Sequence, residues 1–320
     1  MDQSVEQRVN VREALYRVLD SIKQLPSPPE VCLAVTQATG DEGTSLTDLQ
    51  ELVANDIALS GRLMQVANSA FFGVRQPVTS VRRAISLLGF GTVRSLALGF
   101  FFNEEFGKLR LPGLPYPDLP RYALASSVLA EATAKRFEPD LAADAGCLGL
   151  LHESGVLVMA LAFGTQYRRM VAALADGPDA LEQAERAAFG VDHVQAGKLL
   201  LENWKLSEAF IEAAAHHHAP ALPHNIPPGA AGLWRILRLA VVAALLFFDD
   251  DPAGTAAQTR DLAGTLVGAD PQAFTDVIRT AVAMYEQRMA VIGVPTDVVV
   301  ADTQRALAAA DCLAAPGTAA

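Results

Sequence analysis

The chain has 320 residues, of which 51% are hydrophobic, and a formal net charge of −11. Its length allows one large domain or two of modest size, and its acidic charge repels a phosphate backbone, which excludes general nucleic-acid binding. Three cysteines, Cys32, Cys147 and Cys312, are too widely spaced for a disulfide framework or a cysteine metal site. The charged N-terminus lacks the apolar segment of a signal peptide. We therefore expect a cytoplasmic protein.

Short amphipathic helices with clear boundaries are predicted in the first third of the chain. The first begins at Ser45, which is followed three residues later by an acid and approximates a capping box. The second ends at Asn68, and the third runs from a cap at Thr79 or Ser80 to Gly89, which stops it. Helical periodicity continues almost everywhere, and no segment alternates with the period of two that a sheet requires. The sequence predicts an all-α protein.

Two phrases in this region carry a resemblance to a known family. They are NDIALSGRLMQVANSAFFG at residues 55–73 and PVTSVRRAISLLGFGTVRSLAL at residues 77–98. They resemble the signature of the HDOD family, a helical domain of bacterial signalling proteins related to the HD-domain metal phosphohydrolases. The resemblance extends roughly from Val18 to Phe248. It implies a multi-helix bundle with an N-terminal helical subdomain and an HD-like subdomain.

Proline-rich segments divide the chain. Gly107–Pro120 contains four prolines and Pro220–Gly229 is similar, so both are expected to be extended connectors. We expect residues 1–107 to form the N-terminal helical subdomain and residues 118–250 the HD-like subdomain. Residues 251–320 are expected to form C-terminal helices and a disordered tail.

Apolar windows at Leu87–Phe102 and Leu239–Phe248 raise the question of a membrane span. The first is interrupted by Arg94, and the second is shorter than the roughly 20 residues that a bilayer span needs. Both are therefore expected to be buried helices, and no membrane association is predicted.

Histidines fall at three helical positions. His152-Glu153 lies inside a predicted apolar helix, Cys147–Leu161, and His193 opens another helix. The run His216–His218 ends a third helix. Imidazoles on facing helices, with a carboxylate beside them, are a donor set that zinc, iron, manganese or nickel could use.

The family resemblance implies that this pocket is degenerate. The His-Asp pair of the HD superfamily falls on His152-Glu153, an earlier His falls near Tyr122, and a later Asp falls near Val241. A phenol is a poor metal ligand at neutral pH and valine is none, while Glu extends the carboxylate by about 1.5 Å. We expect no catalytic residue, no cofactor and no bound metal. The vestigial ligand candidates are His152, Glu153, His193, His216 and His217.

A structural role for these histidines is the alternative. His152 would then be a buried core residue with a hydrogen bond. The run His216–His218 would cap its helix, where imidazolium complements the negative end of the helix dipole.

Arginine is concentrated in one stretch. Between Ile57 and Asn103 there are five arginines and no acid. Arg82 and Arg83 lie in the first turn of the third helix, where the dipole disfavours cations, and Arg94 follows Gly89 shortly. These three arginines are expected to share an exposed side that docks an acidic partner; the alternative is an ordinary solvated face.

The sequence therefore predicts a non-catalytic bacterial signalling protein that acts by protein interaction. A small nucleotide or metabolite in the vestigial HD pocket would gate that interaction. The resemblance implies partners in two-component or cyclic-dinucleotide signalling. The first alternative is a divergent metal-dependent phosphohydrolase acting on phosphodiesters or nucleotides. The second is a scaffolding homodimer held by the C-terminal helices Ala273–Met289 and Thr296–Leu313.

Overall fold

A computed structural model of the chain describes most residues between 3 and 314. The described ranges are 3–24, 46–54, 56–69, 76–106, 118–174, 178–250 and 252–314, with single residues at 72, 74, 109, 111 and 114. They contain α-helices and short 3-10 helices but no strand, which confirms the predicted all-α class.

Fifteen α-helices lie within the described ranges and are numbered here in chain order. They are α1 Gln3–Gln24, α2 Leu46–Ala54, α3 Ile57–Ala67, α4 Val81–Leu88, α5 Phe90–Phe106, α6 Leu119–Phe137, α7 Ala142–Leu151, α8 Ser154–Ala172, α9 Pro178–Phe189, α10 His193–Asn203, α11 Glu208–Ala215, α12 Pro228–Ala244, α13 Ala253–Val267, α14 Pro271–Ile292 and α15 Thr296–Ala314.

Local hydrogen bonds set the boundaries of the short N-terminal helices. The side chain of Asp56 accepts a hydrogen bond from the Leu59 backbone N–H at 2.9 Å and caps α3. Of the two predicted caps for α4, Ser80 is the one used, because its Oγ accepts from the Arg83 N–H at 3.3 Å. Gly89 ends α4 with a φ of 76°, a conformation that favours glycine. The predicted second and third helices are thus confirmed.

Helix α6 is the central element of the bundle. It is buried along most of its length and packs against α7, α12 and α14. Gly149 of α7 lies so close to α6 that a Cβ there would be 2.6 Å from the Cα of Ser127. Small residues on both helices allow this backbone contact, which fixes the end of α7 where His152 follows.

Packing joins all three predicted parts of the chain. A hydrophobic core extends from Ala14 in α1 to Leu313 in α15. Helix α1 packs on α8, and α14 packs on α6, so both termini contact the HD-like region. The division at residues 107 and 250 stays a prediction. Most of the connector Gly107–Pro120, and residues 315–320 of the tail, lie outside the described residues. The two predicted connectors are shorter than expected, because α6 begins at Leu119 and α12 begins at Pro228.

Within the described ranges, two helical segments are long and apolar enough to cross a membrane. They are Pro139–Ala172 and Gly229–Phe247, and in their most apolar windows 89% and 78% of the residues are buried inside the protein. Burial in the bundle accounts for their hydrophobicity, since the same residues form the walls of the central core. The cytoplasmic location stays a prediction.

Candidate functional site

His152 and Glu153 form a break between α7 and α8. A continuous helix over Cys147–Leu161 was expected, and that expectation is wrong. Directly after the break, a Cβ on Gly155 would lie 1.7 Å from the backbone oxygen of His193. The first turn of α8 can approach α10 this closely only with glycine. The approach places Glu153 beside His193.

His193 is held in place by a buried carboxylate from α9. Glu185 Oε2 accepts hydrogen bonds from the backbone N–H of His193 at 2.8 Å and from its Nδ1 at 2.6 Å. The other oxygen of Glu185 accepts from the Tyr167 hydroxyl at 2.6 Å. Asp192 and Gln195 form a capping box that starts α10 at His193. Glu185 and the capped start of α10 therefore both fix the orientation of the His193 ring.

The role of Glu185 was missed in the sequence, although a signal was present. Leu181, Glu185 and Phe189 recur at intervals of four residues, and all three are buried on the inner face of α9. A charged residue in the middle of an apolar stripe is rarely buried without a partner. The charge at position 185 therefore indicates a carboxylate that pairs with another polar group inside the protein.

Two further imidazoles present an unpaired nitrogen to the same space. His217 Nδ1 donates to the Ala214 carbonyl at 2.7 Å, and His152 Nδ1 donates to the Gly149 carbonyl at 2.9 Å. In a neutral imidazole the other nitrogen then carries a lone pair. Neither Nε2 atom has a hydrogen-bond partner among the described residues.

Glu153, His193, His217 and His218 form one cluster, called here the histidine cluster. Each offers a ligand atom, and these four atoms lie within 4.8 Å of one another. His193 Nε2 is 3.6 Å from Glu153 Oε2, and His217 Nε2 is 3.9 Å from Glu153 Oε1. The Nε2 atoms of His193 and His218 are 3.0 Å apart. Three imidazoles and one carboxylate thus converge from α8, α10 and the end of α11.

The cluster differs from the predicted ligand set at three histidines: His152 and His216 are not members, and His218 is. His216 is turned away, with its Nδ1 bonded to the Glu212 carbonyl at 2.8 Å and its side chain 35% exposed. His218, which was not among the candidates, takes its place. His152 stands at the edge, with its Nε2 3.9 Å from Glu153 Oε1.

Burial governs the charges in the cluster. It lowers the pKa of His217 and of His218, so both imidazoles are neutral at pH 7. His216 and His217 bond to carbonyls in the last turn of α11, as the expected cap requires, but burial keeps His217 neutral. Burial also lowers the pKa of His193, but Glu185 and Glu153 outweigh it and raise that pKa to about 9. The protonated Nε2 of His193 therefore donates to His218.

The opposite wall of the pocket is closed by Tyr122 and Val241. The Tyr122 hydroxyl donates to the Val241 backbone oxygen at 3.1 Å, and its ring centroid is 5.7 Å from that of His152. Burial raises the pKa of the phenol well above its ordinary value, so it stays protonated. The two positions where the resemblance places further ligands are therefore bonded to each other.

A cavity of about 440 Å³ lies outside the cluster. Its lining includes His218, together with Arg186 and Lys198. Arg186 pairs with Glu182, and Lys198 Nζ lies 2.6 Å from a Glu212 oxygen. The cavity reaches the cluster at His218, and its cations are balanced by neighbouring acids.

The predicted arginine face is only partly exposed. Arg82 and Arg83 lie on the solvent side of α4. Arg94 is 6% exposed and pairs with Asp144 of α7, so its place on a shared exposed side is wrong. The reason is that α5 packs against α7, which turns residue 94 inward.

Comparison with known proteins gives a family and a fold. The HDOD domain matches residues 25–220. An uncharacterized protein of Treponema pallidum (strain Nichols) is 23% identical over 228 residues, which are 70% of this chain and 44% of that protein. The chain thus spans less than half the length of this relative.

Solved structures share the fold. A candidate signal transduction protein from Marinobacter aquaeolei VT8 has a TM-score of 0.65 at 23% identity, over 90% of this chain and 67% of that one. An HDOD domain protein with unknown function from Geobacter sulfurreducens has a TM-score of 0.63 at 20% identity, over 89% and 99%. A candidate phosphohydrolase from Shewanella amazonensis SB2B has a TM-score of 0.64 at 21% identity, over 86% and 97%.

Proposed function

The chain belongs to the HDOD family, and on that premise we propose that it is a non-catalytic regulatory protein that acts through protein interaction. One observation carries the proposal. The Tyr122 hydroxyl is bonded to the Val241 carbonyl where the HD superfamily would place two metal ligands. A catalytic metal centre keeps a coordination position open to its substrate. Here that side is filled by protein.

Burial of the remaining donors supports the same conclusion. Glu153 is 3% exposed, and His193 and His217 are fully buried. Of the four cluster members, His218 lines the described cavity. A substrate phosphate in that cavity would meet His218 before any other member of the cluster.

Hydrolysis assays test the proposal. The full chain, loaded in turn with zinc, manganese and iron, is incubated with phosphodiester and nucleotide substrates, beside Glu153→Gln. We expect no turnover above the level of the variant. Turnover that follows metal loading and disappears in Glu153→Gln, but persists in His216→Ala, would contradict the proposal.

A divergent phosphohydrolase is the second candidate, and the histidine cluster favours it. Three imidazoles and a carboxylate form a plausible donor set for a catalytic metal. Its weakness is the lack of an open approach from the Tyr122 side. The same assay decides between the two candidates.

The partner surface that we propose is centred on Arg82 and Arg83. Both are exposed, and neither is needed for the capping of α4, which rests on Ser80. We propose that they dock an acidic surface of a signalling protein, of the two-component or cyclic-dinucleotide kind. Complementary charge of this kind acts mainly on the association rate and weakens with salt.

A charge-reversal experiment tests this surface. Partners are first identified by pull-down from the native host. Arg82→Glu/Arg83→Glu is then expected to slow association by about tenfold at low salt, with unchanged melting. Arg168→Glu/Arg169→Glu is the matched control, because these two arginines are also adjacent and exposed, on α8. Equal effects of the two double variants would refute a specific docking role.

The gating ligand, a small nucleotide or metabolite, is placed by our proposal in the cavity beside His218. The volume of this cavity, about 440 Å³, lies in the range of small-molecule sites. Ala219 lines the cavity, so Ala219→Trp would fill it. A ligand found by calorimetry should lose affinity in this variant; unchanged affinity would place the ligand elsewhere.

A further inference from the structure

The geometry points to a buried metal site: Glu153, His193, His217 and His218 together bind one divalent transition-metal ion, and zinc is the ion that fits best. This inference goes beyond the proposed function, because a closed metal site requires no catalysis. It also differs from the expectation of no metal, which was based on Tyr122, Glu153 and Val241. The cluster contains neither Tyr122 nor Val241, and Glu153 is one of its four members.

The spacing of the donor atoms suits one tetrahedral ion. With ligand distances of roughly 2.0–2.1 Å, donor atoms around zinc lie about 3.4 Å apart. In the cluster, His193 Nε2 is 3.0 Å from His218 Nε2 and 3.6 Å from Glu153 Oε2. His217 Nε2 is 3.9 Å from the other oxygen of Glu153. All four ligand atoms lie within 4.8 Å of one another, so the side chains would have to close in around the ion to complete the shell.

Unpaired polar atoms are the second, independent observation. Glu153 Oε2 and His217 Nε2 are buried and have no hydrogen-bond partner among the described residues. Native proteins pair nearly all such atoms, and buried carboxylates are paired with cations or coordinate metals. Both residues belong to the cluster, whose ligand atoms lie within 4.8 Å of one another. A cation between these ligand atoms would satisfy both unpaired atoms together.

The imidazoles are already oriented for coordination. His217 donates its Nδ1 hydrogen to the Ala214 carbonyl, and His193 donates its own to Glu185. Each therefore directs Nε2 inward. The proton on His193 Nε2 would have to leave when that nitrogen binds the ion, as metal binding to histidine requires. A carboxylate behind a ligating histidine is the arrangement that fixes ring orientation in known metal sites. Tyr167 in turn holds Glu185, so the support continues one shell further out.

The donor chemistry selects the metal class. Three nitrogen donors and one carboxylate suit zinc, iron, copper or nickel, whereas magnesium and calcium prefer oxygen shells. Four protein ligands without an open position are typical of structural zinc. The ion would connect α8, α10 and the end of α11, which come from separate parts of the chain.

Metal content and stability together test the inference. The full chain is purified without a histidine tag, and its metals are measured by mass spectrometry. We expect about one equivalent of zinc per chain, removal by a strong chelator with a lower melting temperature, and recovery of that temperature on adding zinc. A metal-free protein whose melting temperature does not respond to zinc would overturn the inference.

Neighbouring histidines provide a matched pair of variants. His217→Ala should lose the zinc, whereas His216→Ala should retain it, because His216 is turned toward Glu212. Glu185→Gln should weaken zinc binding by about 10- to 100-fold. Equal zinc content in His217→Ala and His216→Ala would contradict the assignment.

A spectroscopic measurement covers the case in which His217→Ala does not fold. The wild-type chain, stripped of metal and loaded with Co²⁺, should show the intense visible absorption of a tetrahedral nitrogen–oxygen site. An octahedral spectrum, or no binding, would overturn the inference. Bound zinc without hydrolysis supports both proposals, and bound zinc with hydrolysis removes only the proposed function.

Discussion

The ion pair that joins α14 to α6 and the histidine cluster at the start of α8 both place charged groups inside one apolar core. Arg288 and Glu131 each have side chains 5% exposed, and Arg288 donates to both Glu131 and Ser127. The other oxygen of Glu131 lies 2.6 Å from Lys135 Nζ. Every oxygen of this carboxylate therefore has a donor.

The histidine cluster leaves the corresponding atoms without donors. Glu153 Oε2 and His217 Nε2 have no hydrogen-bond partner in the described part of the chain. A network with all its partners stabilises the fold by itself, whereas a network with unfilled positions needs another group to complete it. The comparison therefore separates a structural ion pair from the cluster that we propose as a metal site.

Removing one member of the completed pair should have the largest effect. Arg288→Met leaves Glu131 buried with only Lys135 to compensate it, and is expected to cost about 3–5 kcal/mol of unfolding free energy. Denaturant unfolding followed by circular dichroism measures it. The double variant Glu131→Leu/Arg288→Met should recover most of the loss, since no buried charge remains. A double variant as unstable as the single one would contradict this account.

Adding a methyl group where α8 contacts α10 should have the next largest effect. Gly155→Ala places a Cβ 1.7 Å from the His193 backbone oxygen, so the two helices must separate. We expect a loss of about 3 kcal/mol, at the upper end for overpacking, and loss of bound zinc. Gly254→Ala is the control, because it lies in α13 with no atom within 4 Å of the added Cβ. It should be neutral or slightly stabilising.

The pH dependence of stability should show the smallest effect and should come from Glu131. Burial raises the pKa of this carboxyl, but Arg288 and Lys135 outweigh it and leave the pKa below its ordinary value. Its contribution to stability is therefore full above the unfolded pKa of about 4.3 and is lost as pH falls through the folded pKa. The free energy of unfolding, measured with urea between about pH 6 and pH 3, should depend less on pH in Glu131→Gln than in the wild-type chain. An identical slope in both proteins would assign the acid sensitivity to other groups.

Much of the helical architecture could be predicted because its signals are local. The cap of α4 is a hydrogen bond between Ser80 and a residue three positions away, so it can be read without knowledge of packing. The phrases around residues 55–98 identified the family before any contact was known. His193 and Glu153 were also among the predicted ligand candidates.

The features that could not be predicted depend on helices distant in sequence. Arg94 became buried because α5 packs on α7, where Asp144 lies fifty residues away. The turn after α11 decides which imidazole faces α10. His218 therefore joins the cluster and His216 does not. No pattern within a helical turn contains this information.

The sequence by itself determined the all-α class, the boundaries of the capped helices and the family, because capping and periodicity act over three or four residues. Only the tertiary structure decided that Gly155 brings α8 onto α10, that Glu185 orients His193, and that Tyr122 is bonded to Val241. Those outcomes depend on interhelical distances. Small residues at the helix contacts set these distances. How close two helices come depends on the side chains of both, so one helix alone does not determine the distance.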